Sequence, residues 1–339
     1  MSVTLEDVAK RAGVSPKTVS RAVNGEKGMS EETREHVLRI VEEMNYVPHT
    51  QAQNLASGKT RSIALHYPLS SPTLISERLE MNFVTGIAEE AAQANYYFTL
   101  FTGELDLREL TRICRASIAD GLILMQISMD DWRVETLQKL HFPFVMIGRC
   151  QDNHELSFID FDFEKAVIQA YAHLLELGHK KIGFFTFPES WHNARLGPAV
   201  RAKLGFQEVI RRYNLEPIFY ESNLSVEDSR SCVKEAIDQH PDMTAIVALH
   251  NTIAVGAINA IHGSGKRVPE DYSIFGVALG QESDLIIPPL TAIPWEGYHI
   301  GQQAASILIQ KLNTNEPVIE QFLVLPKIEM RCSTASYSP

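Results

Sequence analysis

The chain has 339 residues, 45% of them hydrophobic and 22% charged, which excludes a disordered or low-complexity class and leaves room for two or three globular domains. Its net charge of −11 shows none of the overall basic character common among nucleic-acid binders. Met1-Ser2-Val3 begins no basic run followed by an apolar stretch, and no segment has the uninterrupted apolar length of a membrane span, so a cytoplasmic chain without a signal peptide is expected. Cys114, Cys150, Cys232 and Cys332 are scattered singly, with no C-x-x-C spacing for a zinc ribbon or a redox pair, and no metal or other cofactor is expected.

The first elements are three short helices. Thr4 is placed to cap the first, with Asp7 three residues on as its capping-box partner, and Leu5, Val8 and Ala9 share one face. Gly13 suits a sharp turn. Ser15 caps a second helix whose first residue, Pro16, has a preset φ and no amide to leave unpaired. Val19, Ala22 and Val23 fall on the inner side of that helix, leaving Lys17, Thr18, Ser20 and Arg21 to point elsewhere, and Asn24-Gly25 closes it. A third helix follows the cap Ser30 and offers Val37, Ile40, Val41 and Met44 at helical spacing.

Two tightly joined helices held by a third form a unit that can present its second helix to the major groove. There Arg21 can offer a bidentate fork to guanine, and Pro16 and Lys17, one turn earlier, reach base edges or a phosphate. Thr4, Ser15, Thr18, Ser20, Asn24, Ser30 and Thr33 are suited to phosphate contacts, which position the unit without reading sequence.

With Asn45-Tyr46-Val47-Pro48-His49-Thr50-Gln51-Ala52-Gln53-Asn54-Leu55 following, the segment resembles the headpiece and hinge of the lactose/galactose-repressor (LacI/GalR) family of bacterial transcription regulators. The match is dense over residues 3–58, and weaker landmarks recur to about residue 312. The resemblance implies a homodimer whose two headpieces read a pseudo-palindromic operator. It also implies that residues 51–57 fold into a hinge helix on DNA, with Ala52 and Gln53 in the minor groove and Leu55 wedged into a central CG step. Residues 1–61 hold nine Lys or Arg against eight acids, a balance of +1 that leaves −12 for the remainder. A single headpiece so nearly neutral is expected to bind DNA weakly.

Beyond residue 60 the pattern changes to strands alternating with helices. Strands are expected at 62–69, 97–101, 121–127, 143–148, 181–187, 218–221, 245–250 and 272–279, and helices at 79–94, 163–177, 200–213, 226–240 and 252–262. This alternation predicts doubly wound parallel sheets, in two units. The expected organisation is a small all-α helix-turn-helix headpiece over 1–48, a hinge helix and linker over 49–60, and an α/β core over 61–339 with two lobes of periplasmic-binding-protein type. The N-lobe is placed at 61–160 with 292–320, and the C-lobe at 161–291 with 321–335. Landmarks shared with the family, His173 to Ile182, Val268-Pro269-Glu270-Asp271 and Pro288-Pro289-Leu290-Thr291, have plain readings as helix ends and turns. His173 and His179, six apart, are off the spacing of a helical metal pair and are read as structural or solvated.

A small-molecule effector is expected in the cleft between the lobes. The resemblance implies carboxylates and an arginine for sugar hydroxyls, and here the chain departs from it. Asn251 is kept, but the following aspartate is Thr252, another aspartate position holds Ala278, and Ala202 stands where an arginine precedes Gly205-Phe206, with Arg201 adjacent. The remaining candidates are Ser70, Ser71, Arg149, Trp191, Asn193, Arg201, Asn251 and Trp295. The tryptophans could stack on a sugar ring, and the arginines could grip hydroxyls, a carboxylate or a phosphate.

Catalysis is not expected. Gly263-Ser264-Gly265-Lys266 lacks the upstream glycine and the hydroxyl of a phosphate loop, and no nucleophile elbow or dinucleotide fingerprint is present. The expected function is a sequence-specific transcriptional regulator, more often a repressor than an activator in this family, controlled by a sugar or sugar derivative. A non-sugar ligand, or corepression in which ligand strengthens DNA binding, fits the sequence as well. A periplasmic small-molecule binder would lack the headpiece and carry an export signal.

Overall fold

The computed structural model describes residues 3–23, 25, 28–46, 60–68, 76–314 and 316–338. The chain separates into two compact units, Met1–Thr60 and Arg61–Pro339. In the first, α1 (Leu5–Ala12), α2 (Pro16–Val23) and α3 (Glu31–Glu43) enclose a small core of Val8, Ala9, Ala12, Val19, Ala22, Val37, Ile40 and Tyr46. The apolar positions spaced three and four apart in each helix turn toward that centre, and Val41 and Met44 close its rim half-buried.

The second unit holds two parallel sheets. Its elements in chain order are β1 (Ser62–His66), α4 (Ser76–Gln93), β2 (Tyr97–Phe101), α5 (Leu107–Arg115), β3 (Gly121–Leu124), α6 (Trp132–Lys139), β4 (Phe144–Ile147), β5 (Phe158–Phe161) and α7 (Phe163–Glu176). There follow β6 (Ile182–Thr186), α8 (Glu189–Asn193), α9 (Gly197–Tyr213), β7 (Ile218–Glu221), α10 (Val226–Gln239), β8 (Ala245–Ala248), α11 (Asn251–Gly263), β9 (Ser273–Leu279), β10 (Thr291–Pro294), α12 (Gly297–Asn313) and β11 (Gln321–Val324). The N-lobe sheet runs β11-β5-β4-β3-β1-β2 and the C-lobe sheet β10-β9-β8-β6-β7. Strands such as β1, β3, β4, β6, β8 and β9 are buried along their whole length, as parallel strands covered by helices on both faces must be.

Each lobe has two cores, one per sheet face. In the N-lobe α4 and α12 cover one face around Phe83, Ile87, Ala304 and Leu308, while α5 and α6 cover the other around Leu110, Ile113, Val134 and Leu137. In the C-lobe α7 and α9 enclose Tyr171, Phe184 and Phe206, and α10 and α11 enclose Val233, Ile246, Ile253 and Ile274. Helices α4 and α12 approach so closely that a Cβ on Gly86 would lie 2.1 Å from the Tyr298 carbonyl oxygen, and one on Gly301 would lie 2.3 Å from that of Phe83.

Three crossings join the lobes, and two fall elsewhere than the sequence reading put them. Thr291–Pro294 was expected to open the return to the N-lobe, but it pairs in parallel with β9 and so ends the C-lobe sheet. Residues from 321 were expected in the C-lobe, yet Gln321 pairs with Phe158 and Val324 with Phe161, completing the N-lobe sheet. Both strands are four residues long, and their partners are set by distant register, which local periodicity does not record. After Val324 the chain returns to the C-lobe, where Glu329 bridges Ala292 and Tyr337 N–H donates to the Leu177 carbonyl. His179 anchors this tail: it is buried, one ring nitrogen meets Thr244 Oγ1 at 2.9 Å, and the other lies near Ser273 Oγ and the Ala335 carbonyl. Among the described residues no helix is long and apolar enough to cross a membrane.

Candidate functional site

The headpiece helices are fixed by their caps. Thr4 Oγ1 accepts from Asp7 N–H at 3.2 Å while the Asp7 carboxylate accepts from the Thr4 hydroxyl at 2.7 Å and from Thr4 N–H at 2.9 Å, and the hydroxyl bond first, then the backbone one, holds the Asp7 carboxyl below its ordinary range. Ser15 Oγ accepts from Thr18 N–H at 3.1 Å, so α2 begins at Pro16 as its sequence predicts. Ser30 Oγ does the same for Thr33 N–H at 3.2 Å. Exposed hydroxyl pairs result at both starts, Ser15 with Thr18 at 2.9 Å and Ser30 with Thr33 at 2.7 Å.

With Val19 and Ala22 buried, α2 leaves Pro16 and Lys17 exposed and Thr18, Ser20 and Arg21 half-buried. Arg21 is not splayed into solvent: its guanidinium leans over the turn at Gly28, where a Cβ would sit 2.7 Å from Nη2. To fork onto a base the side chain has to swing off that turn. Asn24, and the hinge candidates Ala52, Gln53 and Leu55, lie outside the described residues.

In the second unit, a polar cluster spans the two lobes at the carboxyl ends of β4 and β5. Arg149 follows β4, and its Nε donates to Asp160 Oδ2 on β5 at 3.0 Å. Arg201, 5% exposed, reaches from α9 in the C-lobe to donate through Nη2 to the Cys150 carbonyl in the N-lobe at 3.0 Å. Burial pushes the Asp160 carboxyl up to about 6 although both guanidiniums pull it down, and burial depresses Arg201 while Asp160 supports its charge. Cys150 stays a thiol, burial pushing it up to about 11.

Beside this cluster the lobes are stitched backbone to backbone. Gly197 N–H donates to the Ile127 carbonyl at 2.8 Å and Met129 N–H to the Arg195 carbonyl at 2.9 Å, with Ser128 and Leu196 forming an antiparallel bridge. Helix α9 runs unbroken from Gly197 to Tyr213, which turns Ala202 into the C-lobe core and Arg201 toward the other lobe.

A separate aromatic group also joins the lobes. Trp295, just past β10, packs edge-on against Phe83 and Phe163 at centroid distances of 5.0 and 5.5 Å and lies 6.4 Å from Phe161. Its buried Nε1 has no hydrogen-bond partner among the described residues. Trp191 sits on the short helix α8, half-buried and stacked on Phe187 at 4.8 Å and 13°. Asn193, exposed at the end of α8, is not part of this packing, and Ser70 and Ser71 lie outside the described residues.

Asn251 is buried at the start of α11. Its neighbour His250, which sequence reasoning missed, caps that helix: Nδ1 accepts from Thr252 N–H at 3.2 Å and faces Thr252 Oγ1 at 2.7 Å. The amide bond requires an unprotonated Nδ1, and burial lowers the ring to about 4. A second missed network ends β1, where Arg133 binds both Asp131 oxygens, the Met125 and Gln126 carbonyls and His66 Nδ1. His66 is held to about 4, chiefly by burial and then by Arg133.

Residues 4–49 match the family model of bacterial regulatory proteins, lacI family, and residues 171–334 match that of the periplasmic binding protein-like domain. The chain belongs to the lacI family. HTH-type transcriptional regulator CelR of Thermobifida fusca is 27% identical over 324 residues, 93% of this chain and 94% of that protein. The solved complex of the regulator CelR with cellobiose is 25% identical, with a TM-score of 0.71 over 98% of this chain and 99% of the other. The Lac repressor dimer bound to operator and the anti-inducer ONPF is 26% identical, with a TM-score of 0.85 over 99% and 100%. As a lacI-family member the chain is a DNA-binding transcriptional regulator, with α2 in the position of the reading helix of a helix-turn-helix.

Proposed function

We propose that this regulator is a repressor that binds a pseudo-palindromic operator as a homodimer and is released by a sugar-class small molecule held between its lobes. The observation that carries this reading is the Arg149–Asp160–Arg201 cluster. It joins residues from both lobes through hydrogen bonds that a ligand can exchange. The lac repressor and CelR structures support it by analogy, since one is a dimer on operator DNA and the other holds cellobiose. Pro16, Lys17 and Arg21 read base edges, Thr4, Ser15, Thr18, Ser20, Asn24, Ser30 and Thr33 hold phosphates, and Ala52, Gln53 and Leu55 enter the minor groove. A ligand that changes the angle between the lobes by binding one arrangement more tightly shifts operator affinity in proportion, about 1–3 kcal/mol for a modest switch.

The test is to select a bound duplex from randomised DNA and titrate it with the full chain, with and without each of a panel of sugars and sugar derivatives. A palindromic consensus whose affinity falls with one compound is the expected result. Affinity that rises instead establishes corepression, and the absence of any consensus overturns the reading.

A further inference from the structure

The inter-lobe cluster carries more positive charge than its own carboxylate can balance, and that excess points to the class of effector. We propose that the ligand is an anionic carbohydrate, a sugar phosphate or a sugar acid, whose charged group docks on the guanidiniums of Arg149 and Arg201; this rests on the reading of the cleft as the effector site.

Two cations face one acid here. Arg149 spends only Nε on Asp160, and among the described residues its terminal nitrogens have no hydrogen-bond partner, while its side chain remains 25% exposed. Arg201 spends Nη2 on a carbonyl, and its Nη1, beside Gly197 at the start of α9, is buried without a partner among the described residues. The start of α9 has no side-chain cap, so its dipole adds to the positive field. Asp160, pushed up to about 6, is still mostly ionised at neutrality, and it supplies a single negative charge against the two guanidiniums.

Other acids do little to offset the pair. Asp131 is committed to Arg133 through both oxygens, and Glu164 acts on Arg201 less than Asp160 does. At the ends of β8 and β9, Asn251, Thr252 and Ala278 carry no charge and burial holds His250 to about 4. The buried guanidinium of Arg201, beside a second and partly exposed one, is unfavourable without a second anion, and a neutral polyol leaves it so. A phosphate or carboxylate oxygen pair matches the donor fork of arginine.

The experiment uses the full chain and reads both thermal stability and affinity for the selected operator. Probes are glucose, fructose and cellobiose, the 1- and 6-phosphates of the two hexoses, gluconate, glucuronate, and inorganic phosphate. At least one phosphate or acid is expected to raise Tm by several degrees and change operator affinity where its parent sugar at the same concentration does neither. The phosphate and acid arms identify which anion is used. Arg149→Met, at a partly exposed side chain, should reduce that ligand's affinity at least tenfold, Arg149→Lys less, and Asp160→Asn should preserve or tighten it. If Arg149→Met does not fold, the Lys and Asn variants carry the comparison.

A neutral sugar that acts as strongly as its phosphate or acid, or a response that survives Arg149→Met, overturns the anion while keeping the cleft as the effector site. A panel in which no probe moves either Tm or operator affinity counts against both.

Discussion

His250 shows how one buried side chain sets a pH response. Its Nδ1 must stay unprotonated to cap α11, and burial holds the ring at about 4 where an exposed histidine titrates near 6.5. The unfolded chain therefore binds the proton more readily. Stability is full above about pH 6.5 and falls as pH drops toward 4, by up to about 3 kcal/mol for a shift of this size. His66, also held to about 4, acts in the same direction. Asp160 acts in the opposite one, because its raised carboxyl makes the folded chain the better proton acceptor between about pH 6 and 4. His250→Asn keeps a capping side chain and removes the titration. Tm measured from pH 7.5 to 4.5 should therefore fall less steeply in this variant than in the parent, and parallel curves would dismiss the account.

At the scale of elements, packing distance decides what the sequence alone leaves ambiguous. Gly86 in α4 and Gly263 at the end of α11 are both helical glycines, yet a Cβ on the first meets backbone at 2.1 Å and a Cβ on the second meets nothing within 4 Å. Gly86→Ala should lower unfolding stability by about 1–3 kcal/mol or more, as helices α4 and α12 are pried apart. Gly263→Ala should leave it unchanged or raise it by up to about 1 kcal/mol, through helix propensity. Denaturant unfolding of the two variants checks the contrast, and equal shifts would mean that the close approach of α4 and α12 does not matter. The headpiece helices were legible because Thr4, Ser15-Pro16 and Ser30 act within one turn of themselves. The alternation of the core was legible for a similar reason. The lobe assignments of β10 and β11 were not, since four-residue strands take their identity from partners more than ten residues away in sequence. Arg149 and Arg201 could be picked out as candidates, but Asp160, which couples them, is found only when β4, β5 and α9 converge.

For the whole molecule, charge distribution sets how DNA must be held. The first 61 residues carry a balance of only +1 and the remainder −12, so the chain as a whole is repelled by a duplex and a single headpiece brings little nonspecific attraction to oppose this. Useful affinity then has to come from two headpieces engaging together, the second binding at the effective concentration set by the first. A duplex carrying a single half-site should therefore bind the full chain about 10²–10⁴ times more weakly than the complete operator at the same salt. The slope of log K against log salt should also be shallower on the half-site, because fewer phosphates are neutralised. Anisotropy titrations of the two duplexes at three salt concentrations measure both quantities. Equal affinities would show that one headpiece suffices and that its few exposed donors on α2, Lys17 foremost, bind far more strongly than their net charge allows.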